Sequence, residues 1–262
     1  MPISLSISIV TFNNREIIDK CIESLIKYLP KELDVSIYCI DNASSDGTYE
    51  NLKAFEKKHE KIRVRKTHYN LGYGGAHNSI LEELDSDFHL YCNPDIIAKK
   101  NFIEPLIKLI NSDKRIGLVV PKILDLNGNS QFLSRRYPGV GDLILRRSPK
   151  FIKNIFKKKL SHFEMSDIDS SVITEVPCAS GALVLCRTKA LKIIKGFDRR
   201  YFLYFEDFDM TRMFQEHSYK TIYTPDSIVY HEGGFASRKS VKIVIIHIRS
   251  AIQYFQKWGW KF

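Results

Sequence analysis

The first 95 residues alternate between strand-like and helix-like segments, and this alternation constrains the fold more than any other feature of the sequence. The strand-like segments are short and rich in β-branched residues, as in SLSISIV and VSIYCI. Strands are predicted at residues 4–10, 35–40, 62–67 and 88–92, and helices at residues 15–28, 47–58 and 75–84. Repeated strand–helix units predict an α/β fold, Rossmann-like, with a mostly parallel central sheet flanked by helices.

Each of these predicted strands is followed by a polar loop. The loops cover residues 11–15, 41–47, 70–78 and 93–95. Ligands of open α/β sheets bind outside the carboxyl ends of the strands, so we expect the four loops to converge on one crevice.

The second half of the chain is less regular. Strands are predicted at 116–121, 181–187, 220–223 and 228–230, and helices at 101–112, 188–195 and 207–217. The basic stretch 142–160 is predicted to be a helix broken at Pro149. The sequence contains no repeat and no low-complexity linker, which favours one globular domain over residues 1–236 followed by a basic extension at 237–262.

Composition excludes several classes of protein. No stretch reaches the ~18–20 consecutive apolar residues of a membrane-spanning helix. The N-terminus, MPISLSISIV, lacks the basic region that precedes the apolar core of a signal peptide. The five cysteines form no CxxC pair, so buried free thiols are expected rather than disulfides or a zinc site. These features favour a cytoplasmic protein.

The net charge of +10 is concentrated in two segments. Residues 142–160 carry seven Lys or Arg and one acid, and residues 237–262 carry six and none. Both interleave cations with large apolar residues, which is typical of proteins that rest on an anionic membrane surface. A solvated basic face is the alternative. The cations are not arranged around a nucleic-acid recognition element, so no nucleic-acid partner is predicted.

Two of the polar loops contain residues suited to a nucleotide. Asp41 directly follows an apolar strand, where its carboxylate can accept a hydrogen bond from the ring N–H of uracil or thymine. A turn or capping role is the alternative for Asp41, and Asp46 is predicted to cap the next helix. The glycines of NLGYGG, residues 70–75, allow close backbone approach and favour phosphate, although the pattern does not fit GxGxxG.

The fourth strand ends on Asn93-Pro94-Asp95. Pro94 fixes its own φ, so Asp95 is presented at a defined point. Mg²⁺ and Mn²⁺ are usually bound by one or two carboxylates together with substrate phosphates, and Asp95 is a candidate for this role. A polar strand end without a metal is the alternative.

The segment YFEDFD, residues 204–209, places three carboxylates among aromatic residues. Such clustering raises the pKa of a carboxyl group and suits a general base. Acids at a helix start also interact favourably with the helix dipole, and the two roles are compatible. His231 could be an imidazole ligand of the same metal, or it could be a structural histidine.

Seven segments together resemble the family 2 glycosyltransferases with a GT-A fold, especially the bacterial rhamnosyltransferase-like branch that builds O-antigen, the polysaccharide of lipopolysaccharide, and other surface polysaccharides. The segments are IVTFNN, DNASSDGT, NLGYGGAHN, NPD, ASGALVLCRTKAL, GFDRRYFLYFEDFDM and YHEGG. They occur in the family's order and span residues 7–234. The resemblance implies a GT-A domain at 1–236, with a nucleotide-sugar half at about 1–98, an acceptor half at about 99–236, and a membrane-associating segment at 237–262.

The resemblance also implies roles for individual residues. Asn93-Pro94-Asp95 stands where the family has its Asp-x-Asp motif, which leaves Asp95 as the principal carboxylate ligand of Mg²⁺ or Mn²⁺. His231 falls where a histidine that contacts metal or diphosphate is found in the family. Glu206 and Asp207 match the catalytic Glu-Asp pair, with Asp207 as the general base. The nucleotide-sugar pocket would be lined by Thr11, Asn13, Arg15, Asp41, Asn42, Gly72, Tyr73, Gly74, Gly75, Asn78 and Asn93.

The implied reaction is inverting transfer of a sugar by a single displacement. The first expected donor is dTDP-L-rhamnose, and UDP-linked galactose, glucose or N-acetylhexosamine are the alternatives. The expected acceptor is a saccharide on a polyprenyl diphosphate, met by a peripheral enzyme at the anionic inner face of the inner membrane. A non-catalytic nucleotide- or lipid-binding protein on the same fold is a further alternative, against which the Glu206-Asp207 pair argues.

Overall fold

The computed structural model describes residues 3–233 and 241–261. A nine-stranded sheet forms its centre, with helices on both faces. The strands are β1 (Ser4–Thr11), β2 (Asp34–Asp41), β3 (Ile62–Lys66), β4 (Phe88–Cys92), β5 (Ile96–Ile97), β6 (Ile116–Leu124), β7 (Thr174–Glu175), β8 (Leu183–Arg187) and β9 (Lys220–His231). The helices are α1 (Ile18–Tyr28), α2 (Thr48–Lys58), α3 (Gly72–His77), α4 (Glu104–Ser112), α5 (Val140–Arg147), α6 (Lys150–Ile155), α7 (Lys157–Phe163), α8 (Thr188–Ile193), α9 (Glu206–Glu216) and α10 (Val241–Trp258), and a 3-10 helix covers Asn78–Glu83.

The parallel sheet predicted for the first half is present in the order β3-β2-β1-β4. In this register Thr11 lies opposite Asp41, and Ile9 lies opposite Cys92. The carboxyl ends of β1, β2 and β4 are therefore level with one another. The three loops that follow them begin at one edge of the sheet, as the alternation of strands and helices predicted.

The second half of the chain extends this sheet with antiparallel pairings. Strand β8 pairs antiparallel with β4 and β6, and β9 pairs parallel with β6 and antiparallel with β5. The β4–β8 pairing brings the start of β8 to the end of β4, where the Asn93 amide donates to the Ala182 carbonyl at 2.9 Å. The β5–β9 pairing places His231 opposite Ile96, next to Asp95.

The core consists of apolar clusters on the two faces of the sheet. One face carries alternate residues of β1, among them Ile7 and Ile9, which pack with the buried stripe of α1. The other face carries Tyr91 and Val184, which pack with residues of α3, α8 and α9. Because successive residues of a strand point to opposite faces, the apolar strands β4 and β8 supply residues to both clusters. All five cysteines are buried, as expected.

Three local details refine the predictions. Helix α3 begins at Gly72, so all three glycines expected in a loop lie within a helix. The two strand pieces predicted at 220–223 and 228–230 form the single strand β9, because an irregularity in its pairing with β6 absorbs the turn-like residues between them. The basic stretch is broken before Pro149 as predicted, since Ser148 takes the extended conformation that a following proline favours.

The C-terminal helix α10 packs against the segment that leads into α9. Tyr254 and Phe255 are buried with Tyr201 and Phe205. Lys257 donates to Asp198 at 3.0 Å and to Asp209 at 2.8 Å. The helix therefore contributes to the fold, whereas residues 237–240 of the predicted basic extension lie outside the described residues. Within residues 3–233 and 241–261, no helix has both the length and the apolar character of a membrane span.

Candidate functional site

The first two loops are tied to each other by hydrogen bonds. The Asn13 amide donates to the Ser44 hydroxyl at 2.9 Å, and the Asn13 side chain accepts from the Ser45 amide. The Arg15 amide donates to Asp46, which also accepts the amide of Thr48, the first residue of α2. The N-cap position itself is Gly47, so Asp46 supports the helix start from one residue before the cap. Asn13 adopts a positive φ of 57°, a conformation that asparagine tolerates. The loops after β1 and β2 thus form one wall.

Asp41 is fully buried at the base of this wall, beside the equally buried Thr11. One carboxylate oxygen, Oδ2, accepts the Ser44 amide at 3.3 Å. The other, Oδ1, is buried and has no hydrogen-bond partner within residues 3–233 and 241–261. A buried carboxylate oxygen without a partner is costly unless a ligand supplies the donor. Asp41 therefore fits the predicted role of accepting a base N–H.

Asn42 holds the glycine segment in place with its whole side chain. Its amide nitrogen donates to Asn70 Oδ1 and to the Gly72 carbonyl, and its amide oxygen accepts from Thr67 and from the Leu71 amide at 2.9 Å. The structure thus gives Asn42 a structural role at the wall of the predicted pocket.

The glycines of α3 permit close packing against residues 197–202 of the same chain. Gly72 has a φ of +75°, and a Cβ on it would lie 2.1 Å from the Phe202 carbonyl oxygen. A Cβ on Gly74 would lie 2.6 Å from the Phe197 side chain, and one on Gly75 would lie 3.2 Å from the Leu71 side chain. These contacts explain the glycines without a phosphate. They also place residues 197–202, which lead into the acids at the start of α9, against the loop that follows β3.

Gly181 is the point at which the separate parts of the site meet. Its carbonyl accepts the Tyr73 hydroxyl at 2.7 Å, and its amide donates to Asp207 Oδ2 at 3.1 Å. It lies next to Ala182, whose carbonyl accepts the Asn93 amide. A Cβ on Gly181 would lie 3.3 Å from Asp207 Cβ, so the glycine allows this close approach. Asp207 therefore lies beside both the glycine segment and the end of β4.

The carboxyl groups of Glu206 and Asp207 differ in their surroundings. Asp207 accepts backbone amides from Gly181 and Phe208, which stabilises its charged form, although burial raises its pKa above the usual range. Burial, followed by the charge of Asp207, raises the pKa of Glu206 further. Glu206 Oε2 is buried without a hydrogen-bond partner in the described part of the chain. This arrangement favours the protonated form more for Glu206 than for Asp207, so Asp207 is the better candidate for the base.

The two residues before this pair have unusual backbone conformations. Tyr204 has a φ of 70° and Phe205 a φ of 68°, in a region that bulky residues rarely adopt. Such conformations cost roughly 1–3 kcal/mol each and persist only where the surroundings enforce them. Here the enforcing contacts include Phe205 against Tyr254 of α10 and the Ser250 hydroxyl on the Leu203 carbonyl. The strain fixes how α9 presents its first carboxylates.

Asp95 and His231, predicted from separate motifs, lie together. His231 Nε2 is 3.1 Å from Asp95 Oδ1, and His231 Nδ1 is 3.1 Å from Gln131 Oε1. The nearby Asn93 Oδ1 is buried and has no hydrogen-bond partner among the residues described. A carboxylate, an imidazole and a carbonyl oxygen are donors that fit Mg²⁺ or Mn²⁺. Within the described ranges no group of three or more His, Cys, Asp or Glu residues is arranged to hold a metal ion, so substrate oxygens would have to complete the coordination.

Two further predicted residues lie in other surroundings. The Asn78 side chain is occupied by the backbone of Phe197, to which it donates at 2.7 Å and from which it accepts at 3.0 Å. The Arg15 side chain is exposed, with Nη1 3.6 Å from Asp19. Asp209, the third acid of YFEDFD, is buried and accepts from Lys257 and Trp258 of α10. It therefore anchors the C-terminal helix and is separate from the Glu206-Asp207 pair.

Sequence reasoning missed three residues of the site. Gly181 lies within a predicted strand, and only the β4–β8 pairing reveals its position. Gln131 lies in a segment without regular structure, and its amide also donates to the His231 carbonyl at 3.1 Å. Arg135 is buried, and burial lowers the pKa of its guanidinium to about 10. Its positive charge acts on Asp207 and opposes the rise in the pKa of that carboxyl group.

A cleft opens beside this group of residues on the side of the second half of the chain. Its walls are mostly apolar, and its polar members include Gln131, which contacts His231, and Ser180, which precedes Gly181. The remaining walls include Phe132, Leu133, Ile168 and Tyr223. The cleft is linked to Asp207 through Ser180, the neighbour of Gly181, and to His231 through Gln131, although neither Asp207 nor His231 lines it.

Comparison with known proteins identifies related sequences. The family model described as glycosyl transferase family 2 matches residues 6–192. The N-acetylglucosaminyl-diphospho-decaprenol L-rhamnosyltransferase of Mycobacterium tuberculosis is 25% identical over 260 residues, which cover 94% of this chain and 82% of that protein. The rhamnosyltransferase WbbL of Escherichia coli is 26% identical over 195 residues, which cover 70% of each chain.

Solved structures confirm the fold. The crystal structure of GalNAc-T7 with UDP, GalNAc and Mn²⁺ superimposes with a TM-score of 0.72 at 16% identity and covers 97% of this chain. This chain spans about half of that protein, with 48% of it covered. The mixed α/β architecture with its curled central sheet is the GT-A fold that the sequence resemblance implied.

Proposed function

Because the chain belongs to glycosyl transferase family 2, we propose that it transfers a sugar from a nucleoside diphosphate to a hydroxyl group of a lipid-linked saccharide. The observation that carries this proposal is the position of Gly181. Gly181 forms hydrogen bonds with Asp207 and with Tyr73 of the glycine segment, and its neighbour Ala182 accepts the Asn93 amide. One residue therefore connects the candidate base, the loop after β3 and the end of β4, which leads to Asp95.

The donor would lie along the carboxyl ends of the parallel strands. The unpartnered oxygen of Asp41 would accept the N3–H of a thymine or uracil ring. The loop held by Asn42 would lie beside the base and ribose, and the diphosphate would extend toward Asp95. We take dTDP-L-rhamnose as the first donor, since two of the related proteins are rhamnosyltransferases. UDP-linked galactose, glucose or N-acetylhexosamine are the other donors to be tested.

The chemistry would be a single displacement with inversion at the anomeric carbon. Asp207 would take the proton of the acceptor hydroxyl, whose oxygen then bonds to the anomeric carbon while the bond to the nucleoside diphosphate breaks. Burial favours the neutral form of Glu206, which would therefore compete less for that proton. Arg135 would favour the ionised form of Asp207 before the reaction.

Asp95 and His231, with Asn93 beside them, would hold Mg²⁺ or Mn²⁺. When bound, such a cation neutralises charge on the departing diphosphate. Gln131 would orient the imidazole through Nδ1, as the partners of metal-binding histidines generally do. His231 Nε2 lies 3.1 Å from Asp95 Oδ1, and this interaction would be replaced by, or shared with, a bound cation.

The cleft lined by Gln131, Phe132 and Ser180 would receive the acceptor. Its apolar walls suit the faces of sugar rings. Ser180, in the wall of the cleft, directly precedes Gly181, whose amide donates to Asp207. The related M. tuberculosis protein carries N-acetylglucosaminyl-diphospho-decaprenol in its name, and we propose an acceptor of the same class here. The enzyme would meet this lipid as a peripheral protein at the inner face of the bacterial inner membrane, for synthesis of O-antigen or another surface polysaccharide.

A transfer assay with a panel of donors tests this proposal. The protein, Mg²⁺ or Mn²⁺, one nucleotide sugar and an N-acetylglucosaminyl-diphosphate lipid are incubated, and the product is identified by mass spectrometry. We expect a rhamnosylated lipid with dTDP-L-rhamnose. A product formed only with a UDP-sugar would change the proposed donor but not the proposed reaction. The proposal would be overturned if no nucleotide sugar gave either transfer or donor hydrolysis.

The surroundings of Asp207 predict how the rate depends on pH. Burial raises its pKa, so kcat/KM should fall as the pH decreases through a value above the usual range for aspartate. Replacing Arg135 with methionine removes a charge that lowers this pKa, and the acidic limb of the profile should move to higher pH. A profile of kcat/KM for the wild type and Arg135→Met checks both points. An acidic limb that does not move would remove Arg135 from this role.

A further inference from the structure

Helix α10 has an apolar stripe that faces away from the protein. Val241, Ile245, Ile248 and Ile252 recur at helical spacing, and their side chains are between 41% and 74% exposed. The opposite side of the helix is packed against the core of the protein through Tyr254 and its buried neighbours. A surface helix normally carries polar residues on its outer side, so this second apolar stripe requires an explanation.

Helix α5 lies beside α10, and α6 follows α5. The α5 residues Val140 and Leu143 pack against the buried side of α10, and the Val140 amide donates to the Lys261 carbonyl at 2.7 Å. Helix α6 packs on α5, and none of its six residues is buried. The large apolar side chains that these helices and the turn after them leave exposed are Ile144, Phe151, Ile155 and Phe156.

The charges around these side chains are almost all positive. Residues 142–160 carry seven Lys or Arg, and their one acid, Asp142, accepts the Gly139 amide at the start of α5. Residues 241–261 contain four Lys or Arg and no acid, and one of the four, Lys257, is paired with Asp198 and Asp209 on the inward side of α10. Burial and the charges of the α5 residues Arg147 and Arg146 lower the pKa of His247, on α10, to about 4. Helices α5 and α10 are therefore close enough for their charges to interact. A second copy of this surface would be repelled, whereas an anionic partner would be attracted.

We propose that α5, α6 and the outer stripe of α10 form one face, here called the docking face, that binds an anionic lipid bilayer. The apolar side chains enter the boundary between headgroups and acyl chains, and the Lys and Arg side chains contact lipid phosphates. The two basic segments of the sequence, about 80 residues apart, thereby act as a single surface. The docking face depends only on these helices and not on the proposed reaction.

The position of the docking face relative to Asp207 has a consequence that does rest on the proposed function. The side of α10 that faces inward contacts Phe205 and Leu203, directly before the Glu206-Asp207 pair. The residues directly before the Glu206-Asp207 pair thus contact the inward side of the helix whose outer stripe is proposed to meet the lipid. Binding to the bilayer would therefore hold the segment that carries the candidate base close to the membrane that contains a lipid-linked acceptor.

Vesicle binding tests the docking face directly. Full-length protein is sedimented with vesicles of phosphatidylglycerol and phosphatidylcholine, or of phosphatidylcholine alone. We expect binding to the anionic vesicles that weakens at high salt. Ile245→Asp/Ile248→Asp should weaken binding by about tenfold or more for each residue. Phe151→Ser/Ile155→Ser on α6 should also weaken it, and circular dichroism verifies that each variant folds.

The matched control replaces apolar residues of similar exposure elsewhere. Leu126→Asp/Ile193→Asp alters side chains that are 52% and 46% exposed and should bind vesicles like the wild type. Wild-type binding by Ile245→Asp/Ile248→Asp, or no binding of the wild type to anionic vesicles, would overturn the proposal. A solution dimer that this variant dissociates would instead assign the face to a second copy. Transfer to a soluble acceptor should be unchanged in Ile245→Asp/Ile248→Asp, so a failed docking face is distinguishable from a failed transferase function.

Discussion

Replacing Asp207 with asparagine is expected to slow sugar transfer by about 10²–10⁴-fold, the usual contribution of a general base. Asparagine keeps the shape of the side chain and can still accept the Gly181 amide, but it cannot take a proton from the acceptor. The donor should bind almost as before, because the predicted contacts to base and diphosphate lie on Asp41 and Asp95. The measurements are kcat with saturating donor and acceptor, and the donor dissociation constant by calorimetry.

The control for this substitution is Asp226→Asn, which changes an exposed aspartate of β9 and should leave kcat unchanged. Full turnover by Asp207→Asn would remove Asp207 from the role of base. A large loss of donor affinity with unchanged kcat would indicate instead that Asp207 binds the donor.

Replacing Asp95 with alanine is expected to weaken metal-dependent binding of a nucleoside diphosphate by at least ~100-fold. Removing a residue that only hydrogen-bonds to a metal ligand lowers metal affinity or activity by ~10–100-fold. Asp95 is the carboxylate that would contact the metal itself, so the loss should be at least as large. The dissociation constants of UDP and dTDP are measured with Mn²⁺ and again with a chelator. In the presence of the chelator, wild type and variant should bind UDP and dTDP with similar affinity, because the contacts of Asp41 with the base remain.

A matched control exists at the other end of the same strand. Asp85 is exposed and precedes β4, whereas Asp95 follows it, so Asp85→Ala should keep the Mn²⁺ dependence of the wild type. If Asp95→Ala also kept this dependence, the metal would have to bind elsewhere. His231→Gln should show a smaller loss in the same direction, since it removes one ligand and keeps the carboxylate.

The first half of the fold could be predicted because each element carries its own signal. Apolar runs identified β1, β2, β3 and β4, and the turn residues after them located the carboxyl edge of the sheet. Parallel pairing then requires these ends to be level, which is a property of the sheet and not of any one motif. The hydrogen bond from a nucleotide base to Asp41 stays a prediction, which the unpartnered Oδ1 of Asp41 supports.

The rest of the site depends on contacts between residues far apart in the chain. The proximity of His231 to Asp95 follows from the β5–β9 pairing, and the role of Gly181 follows from the β4–β8 pairing. Neither pairing leaves a local signal in the sequence. The glycines of α3 were expected to approach a phosphate, but a sequence cannot show that the close neighbour of Gly72 is Phe202 of the same chain.

The central claim is that a nucleoside diphosphate sugar, a divalent cation and Asp207 meet at the carboxyl edge of the parallel strands. A crystal structure of Asp207→Asn with Mn²⁺ and the donor that gives transfer tests it most directly. We expect the base at Asp41, and an ion within about 2.0–2.3 Å of Asp95, His231 and diphosphate oxygens. We also expect the substituted side chain at position 207 to be adjacent to the anomeric carbon. A donor bound elsewhere, such as the cleft lined by Glu82, Lys192 and Arg199, would contradict it.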